Sequence, residues 1–202
     1  VYAGDMQGNV WRFDFSGKVP GTGAKSLFVA RDEAGRRQPL SHVPRVVFAP
    51  GGGYLILFGT GRLLENADLD PSGYSVQSFY AIRDSVAKPP VLAGSRSQLA
   101  RRSVSGTGPY VINGGAVSFE GEGAHKGWYL DLPNWRIEGE RSAAAPLLVS
   151  GAVIFDTLAP GAGACAAPVM RTYILDALTG LAYTSGGVPE PGQVTGEVVD
   201  QA

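Results

Sequence analysis

A single cysteine, Cys165, among 202 residues excludes an internal disulfide framework and any cysteine-based zinc cluster. Two histidines, His42 and His125, are too few for a multi-histidine metal site. Charge is scarce as well: 17% of residues are charged, and 17 basic against 18 acidic side chains leave a net charge of −1. That balance gives no support to a nucleic-acid or anionic-membrane partner. No apolar run reaches the length of a membrane-spanning helix, so membrane insertion is not expected. Nor does the chain open on a secretory signal pattern. It starts directly on a strand, and the expectation is a piece of a longer polypeptide.

Glycine, by contrast, is abundant at 29 residues, with 14 prolines and 44% hydrophobic residues. Frequent turns between short apolar runs, with few uninterrupted helical stretches, point to an all-β chain. Residues 1–5 and 9–14 read as a hairpin turning at Gln7-Gly8, with period-2 alternation through Val10, Trp11, Arg12 and Phe13. Short strands follow at 26–29 and 41–48. The run Tyr54-Leu55-Ile56-Leu57-Phe58-Gly59-Thr60-Gly61 is almost wholly apolar, which implies burial on both faces. Further strands are expected at 77–84, 101–104, 109–113, 116–119, 127–133, 145–149, 152–158 and 171–176. The whole reads as one domain, or a fragment of one, over 1–202. Its polar tail at 184–202 is expected to be partly disordered.

Two blocks repeat. Val43–Val47, a glycine turn, Tyr54–Thr60, a loop and a strand ending at Asp84 match Ala145–Val149, a glycine turn, Val153–Thr157, a loop and a strand ending at Asp176. Strand-terminal aspartates at 14, 84, 131 and 176 lie 70, 47 and 45 residues apart. The last two intervals suit a β-propeller blade of roughly 40–50 residues. The fold expected is therefore part of a modified β-propeller with long inserted loops, its four-stranded blades covering one another's apolar faces. An ordinary β-sandwich is the competing reading.

Chemistry-bearing candidates are few. Glu65, Asp68 and Asp70 cluster on one loop as calcium ligands do, but the loop lacks the spaced Asp/Asn run, the glycine and the terminal glutamate of a calcium loop. A solvated acidic loop is the preferred reading. Asp14, Asp84, Asp131 and Asp176 each close a strand, where Asp accepts backbone N–H bonds, so turn-forming roles outrank catalysis. Ser41 and His42 are neighbours without a nucleophile elbow or a triad. Arg31, Arg36, Arg37, Arg101 and Arg102 read as solvated faces. Trp128, Tyr129 and Trp135 could form an aromatic platform, although Trp128 and Tyr129 alternate across the strand and at least one should be core.

Several motifs in order carry a family resemblance: Tyr2-Ala3-Gly4-Asp5-Met6-Gln7-Gly8-Asn9-Val10-Trp11-Arg12-Phe13-Asp14, Leu57-Phe58-Gly59-Thr60-Gly61-Arg62, Gln77-Ser78-Phe79-Tyr80-Ala81-Ile82-Arg83-Asp84, Lys126-Gly127-Trp128-Tyr129-Leu130-Asp131-Leu132-Pro133, Gly139-Glu140-Arg141 and Leu175-Asp176-Ala177-Leu178-Thr179-Gly180. Together they resemble the C-terminal domain of PilY-type proteins, the type IV pilus assembly factors and tip adhesins of Gram-negative bacteria. The resemblance implies a modified, quinoprotein-like propeller at the end of a larger exported protein on the cell surface. It also implies a non-enzymatic role in pilus assembly, in opposing retraction, in twitching motility and in attachment. The partners implied are pilins, minor pilins, a host-surface ligand and the remainder of its own chain. Calcium is implied for the full-length protein, in a loop just ahead of Tyr2 that these residues do not include, so no cofactor is expected within them. Cys165 is either paired with a segment outside the chain or a free loop thiol. The alternative functions are a quinone-dependent dehydrogenase propeller, for which no tryptophan floor or ligand set is visible, and a carbohydrate-binding propeller.

Overall fold

The computed structural model describes residues 1–15, 23–86, 95–106, 110–133, 138–161 and 167–183. Cys165, Trp135 and the tail at 184–202 lie outside them. Among the described residues thirteen strands form three sheets. The first sheet has the order β1-β2-β3, from Tyr2–Gly4, Asn9–Arg12 and Lys25–Val29. The second has six strands in the order β4-β5-β6-β9-β7-β8, formed by Arg45–Phe48, Tyr54–Gly59, Ser78–Asp84, Gly127–Asp131, Ala100–Ser105 and Val111–Asn113. The third joins β10 (Arg141–Ser142), β11 (Leu147–Val149), β12 (Ala152–Ala159) and β13 (Val169–Asp176), with β12 at its centre. Three short 3-10 turns complete the elements, two of them in the loop 62–74.

The hairpin that opens the chain needs a left-handed residue in its turn. Gly8 supplies it at φ 79°, and a side chain there would also press on the Gln38 carbonyl. The run after Tyr54 forms β5, with Leu55 and Leu57 on one face and Ile56 and Phe58 on the other, all buried. Its lack of alternation follows from its place, since sheets lie against both of its faces. On one side Leu55, Leu57, Phe79, Ala81, Trp128 and Leu130 meet Val153, Phe155, Tyr173 and Leu175 of the third sheet. On the other, Ile56, Phe58, Tyr80, Ile82 and Tyr129 meet Val10 and Phe28 of the first. The sheets therefore stack in chain order, one, two, three, with an apolar layer between each pair. In the second layer the ring of Phe79 stacks on Phe155 at 3.9 Å and Phe155 on Tyr173 at 4.8 Å.

The expected meanders are present: β4-β5-β6 and β11-β12-β13 are each continuous antiparallel ladders. A closed propeller is not formed by the described residues. The blade-length intervals fail for a definite reason. Asp84 ends β6 and Asp131 ends β9, and those strands are hydrogen-bonded neighbours in one sheet, so 47 residues is not a module length. Between them the chain inserts the β7–β8 hairpin, which runs back beside β9 in parallel register. Residues 116–119, expected as a strand, are not one, and within the expected strand 41–48 only Arg45–Phe48 pairs.

Candidate functional site

Polar networks tie the three sheets together, and several polar residues of the motifs that carry the family resemblance belong to them. In the first hairpin the Asp5 carboxylate accepts four hydrogen bonds: from the Gln7 and Asn9 amides (2.9 Å each), from Asn9 Nδ2 (2.8 Å) and from Trp11 Nε1 (2.8 Å). Partial burial pushes its pKa up, but these donors outweigh burial and hold it below the usual range. Trp11 is thus a half-buried side chain fixed by its indole N–H, and the buried member of this strand is Val10.

Asp84 clasps the first sheet to the second. Its buried carboxylate accepts from Arg12 (2.9 Å), from the Tyr2 hydroxyl (2.8 Å) and from the Val86 amide (2.8 Å). A chain of side chains runs beside it: Tyr80 Oη donates to Gln38 Oε1 (2.5 Å), Gln38 Nε2 to Ser78 Oγ (2.8 Å), and Ser78 Oγ to Asp131 (2.6 Å). Asp131 also pairs with Arg96, whose guanidinium lies 4.0 Å from the centre of the Tyr129 ring. Asp131 therefore holds side chains, whereas Asp176 does cap a turn, accepting from the Leu178 and Thr179 amides.

On the inner face of the third sheet Glu140, fully buried, accepts from Thr157 Oγ1 (2.7 Å) and Tyr173 Oη (2.8 Å) and pairs with Arg171 (3.2 Å). Burial, then the nearby Glu140 charge, raises the Tyr173 pKa. Arg141 is buried too, its guanidinium over the Tyr74 ring and bonded to the Arg62 and Asp68 carbonyls. Nothing in the sequence besides the bare Gly139-Glu140-Arg141 string marks these two as interior charges.

The calcium candidates do not converge. Asp68 is buried, not solvated, and accepts from the Leu64 and Glu65 amides and from Arg62 (2.6 Å). Burial opposes its ionisation, and these partners together still hold its pKa down. Asp70 accepts from the Ser72 amide, which lowers its pKa, and Glu65 lies 3.4 Å from Arg62. Among the described residues no three acidic, histidine or cysteine side chains group as a metal site. Ser41 Oγ donates to the Gly61 carbonyl, and no described hydrogen bond joins it to His42.

Two of the expected surface readings are corrected. Arg102 is 1% exposed and bonds to the Arg101, Gly115 and Thr179 carbonyls; burial lowers its pKa to about 10. It alternates with Arg101 along β7 and therefore faces inward. Trp128 and Tyr129, offered as a platform, are both buried on opposite faces of β9, Trp128 donating to the Ala177 carbonyl. Gly180 packs on the Trp128 ring, where a side chain would collide with it.

Arg31, Arg36, Arg37 and Arg101 remain exposed, around the loop 31–37. On one side of that loop opens a cleft of about 500 Å³, lined by Asp32, Glu33, Arg36, Arg101 and Asp131. On its other side a second, of about 490 Å³, is lined by Arg31, Arg96, Ser95, Ser97 and Tyr129. The charges come as matched pairs, Arg36 with Asp32 (2.7 Å) and Arg101 with Glu33 (3.2 Å). Such a surface suits specific polar contacts with another protein, since paired rim charges set register more than attraction.

Comparison with known proteins follows the same lines. No family model matches the chain. It is 36% identical over 199 residues to a type IV pilus biogenesis factor PilY1 homolog of Xylella fastidiosa, covering 89% of this chain and 13% of that one. It is 30% identical over 224 residues to the type IV pilus biogenesis factor PilY1 of Pseudomonas aeruginosa, covering 89% and 19%. The chain thus spans less than a fifth of the length of these curated relatives. The crystal structure of the Pseudomonas aeruginosa PilY1 C-terminal domain superposes with a TM-score of 0.71 at 26% identity, over 94% of this chain and 47% of that domain. The ordered motifs, the sequence identity and the shared fold agree: the chain is a PilY-type segment, corresponding to part of the PilY1 C-terminal domain.

Proposed function

We propose that the polypeptide carrying this chain acts in type IV pilus biogenesis, and that these residues serve it as a rigid, non-enzymatic scaffold. The observation that carries the reading is the 36% identity to a pilus biogenesis factor over nearly nine-tenths of the chain. The structure supports the scaffold part: its distinctive charged residues are consumed in fixing hairpins, turns and the contacts between sheets. A pilus component is the partner, at the cell surface, and the paired clefts beside the loop 31–37 are the contact face. Attachment and twitching motility depend on that contact. Calcium, where the full-length protein binds it, is held outside these residues, because Glu65, Asp68 and Asp70 already have local partners.

The test is complementation of a deletion strain with the full-length gene, scored by sheared surface pilin. Deleting this region should abolish piliation; normal piliation without it would overturn the assignment. Arg36→Glu with Arg101→Glu should keep the fold within about 0.5 kcal/mol per site, as surface changes do, yet reduce piliation. Wild-type piliation in that variant would remove the clefts as the contact face.

A further inference from the structure

The second sheet is wider than the sheet that covers it, and the excess is apolar. β4 is its outer strand, and on the face turned toward the first sheet it carries Val46, 39% exposed, and Phe48, 81% exposed. Val46 pairs with buried Ile56 and Phe48 with Tyr54, so this row continues the apolar layer that Val10 and Phe28 cover further along. The cover stops at β1. Tyr2 packs edge-on against Tyr54, and Leu40, wedged under Gly4, bridges to Gly61 just past the other end of β5. β1 therefore tracks β5, and its open edge lies beside the bare strip of β4.

That edge has backbone groups to offer. Phe13 N–H bonds to the Val1 carbonyl and Asp5 N–H to the Asn9 carbonyl, so residues 1, 3 and 5 face β2. Tyr2 and Gly4 turn theirs outward. The internal repeat identifies what is missing. The hairpin β1–β2 corresponds to β5–β6: each opens on a short strand ending in glycine, Gly4 or Gly59, and closes on an aspartate, Asp14 or Asp84. The residue after each glycine accepts an amide from the segment leading to the next sheet, Leu40 to Asp5 and Ser142 to Thr60, both at 3.0 Å. That same incoming segment packs on the glycine, Leu40 on Gly4 and Ser142 on Gly59. On its outer side β5 is paired with β4, and the equivalent β12 with β11. β1 alone has no such partner among the described residues.

We infer that a further strand of the same polypeptide, lying just ahead of β1 in sequence as β4 lies ahead of β5, pairs with the open edge of β1 and seats its apolar face on Val46 and Phe48. The occupant is intramolecular because the repeat places it there, and because the matching solved domain is about twice the length of this chain. This goes beyond the pilus reading and stands or falls apart from it.

The experiment uses the natural full-length polypeptide. Phe48→Cys and Val46→Cys are labelled with a maleimide under native conditions and followed peptide by peptide by mass spectrometry, with Leu64→Cys, at a position 72% exposed, as the reference. Both strip positions should label at least about 100-fold more slowly than the reference, as sites reached only by opening do. In the wild-type polypeptide the Tyr2 and Gly4 amides should be protected from exchange, which guards against a variant that disturbs the fold. Labelling at the reference rate, or fast exchange at Tyr2 and Gly4, overturns the inference. Protection that disappears on dilution assigns the strip to a second copy and overturns it equally.

Discussion

Removing the Asp84 carboxylate should unfasten the first sheet from the second. The side chain is fully buried, and Arg12, whose partner it is, is only 12% exposed at its side chain. Four hydrogen bonds end on the two oxygens: two from Arg12, one from the Tyr2 hydroxyl and one from the Val86 amide. Asp84→Ala leaves the Arg12 guanidinium and the Tyr2 hydroxyl without their acceptor in a site with little water. Breaking a buried pair from one side costs about 3–5 kcal/mol. Arg12 can turn outward at modest rearrangement, so the lower end, about 3 kcal/mol, is the expectation. The double-mutant cycle separates this pairing from packing. Arg12→Ala, Asp84→Ala and the double variant should show a coupling of about 1–3 kcal/mol, because each single change strands the other group. Urea unfolding of the 202-residue chain reads these values, with an unchanged slope as the check that only stability moved. A loss under about 1 kcal/mol for Asp84→Ala, or additive single changes, would show that the clasp is incidental.

Trp11→Phe removes the N–H to Asp5 together with part of the half-buried bicyclic ring, so urea unfolding should report a loss of about 1–2 kcal/mol, not the roughly 3–5 kcal/mol of a fully buried tryptophan cut to alanine. Phe155→Ala empties the centre of the aromatic stack between the second and third sheets and should cost about 3–5 kcal/mol; a loss below about 1.5 kcal/mol would show that Phe79 and Tyr173 close over the gap. Asp68 has its pKa lowered from 3.8 by its partners, so the stability it adds is present above that value and is lost as pH falls through its lower native value. In acid titrations followed by circular dichroism, Asp68→Asn should be less stable than wild type at pH 7 and should approach it below about pH 3; a constant difference across the titration would contradict the linkage.

What the sequence made legible was the apolar pattern. The burial of β5 on both faces followed from a run without alternation, and the meanders followed from strands separated by glycine turns. Connectivity beyond neighbours was not legible. The hairpin β7–β8 is an insertion within one sheet, and the direct antiparallel pairing of β6 with β9 is what shows that Asp84 and Asp131 belong to the same module. Side-chain depth along a strand was legible only as alternation. Arg101 and Arg102 look alike in a basic pair, but one strand face is solvent and the other is core. The same blindness applies to Glu140 and Arg141, since a buried charge is identified by partners distant in sequence: Thr157, Tyr173 and Arg171 for one, Asp68 and Arg62 for the other.

The residues that carry the family resemblance are mostly architectural, and this bears on where specificity resides. Asp5, Trp11, Tyr80, Asp84, Trp128, Glu140, Arg141 and Asp176 all spend their polar groups on other parts of the chain. A side chain occupied in this way cannot also bind a partner without loosening the stack, and a buried polar group left unpaired costs about 1–3 kcal/mol. On the proposed scaffold reading, partner contacts therefore fall to exposed segments between the strands. The loop 31–37, with its two clefts and matched surface pairs, is such a segment. Its salt bridges, more than half exposed on at least one side, can exchange partners at little cost, since exposed pairs contribute roughly 0–1 kcal/mol. On that reading the rigid stack of sheets holds the charged rim in place and leaves its pairs to be exchanged for those of a partner.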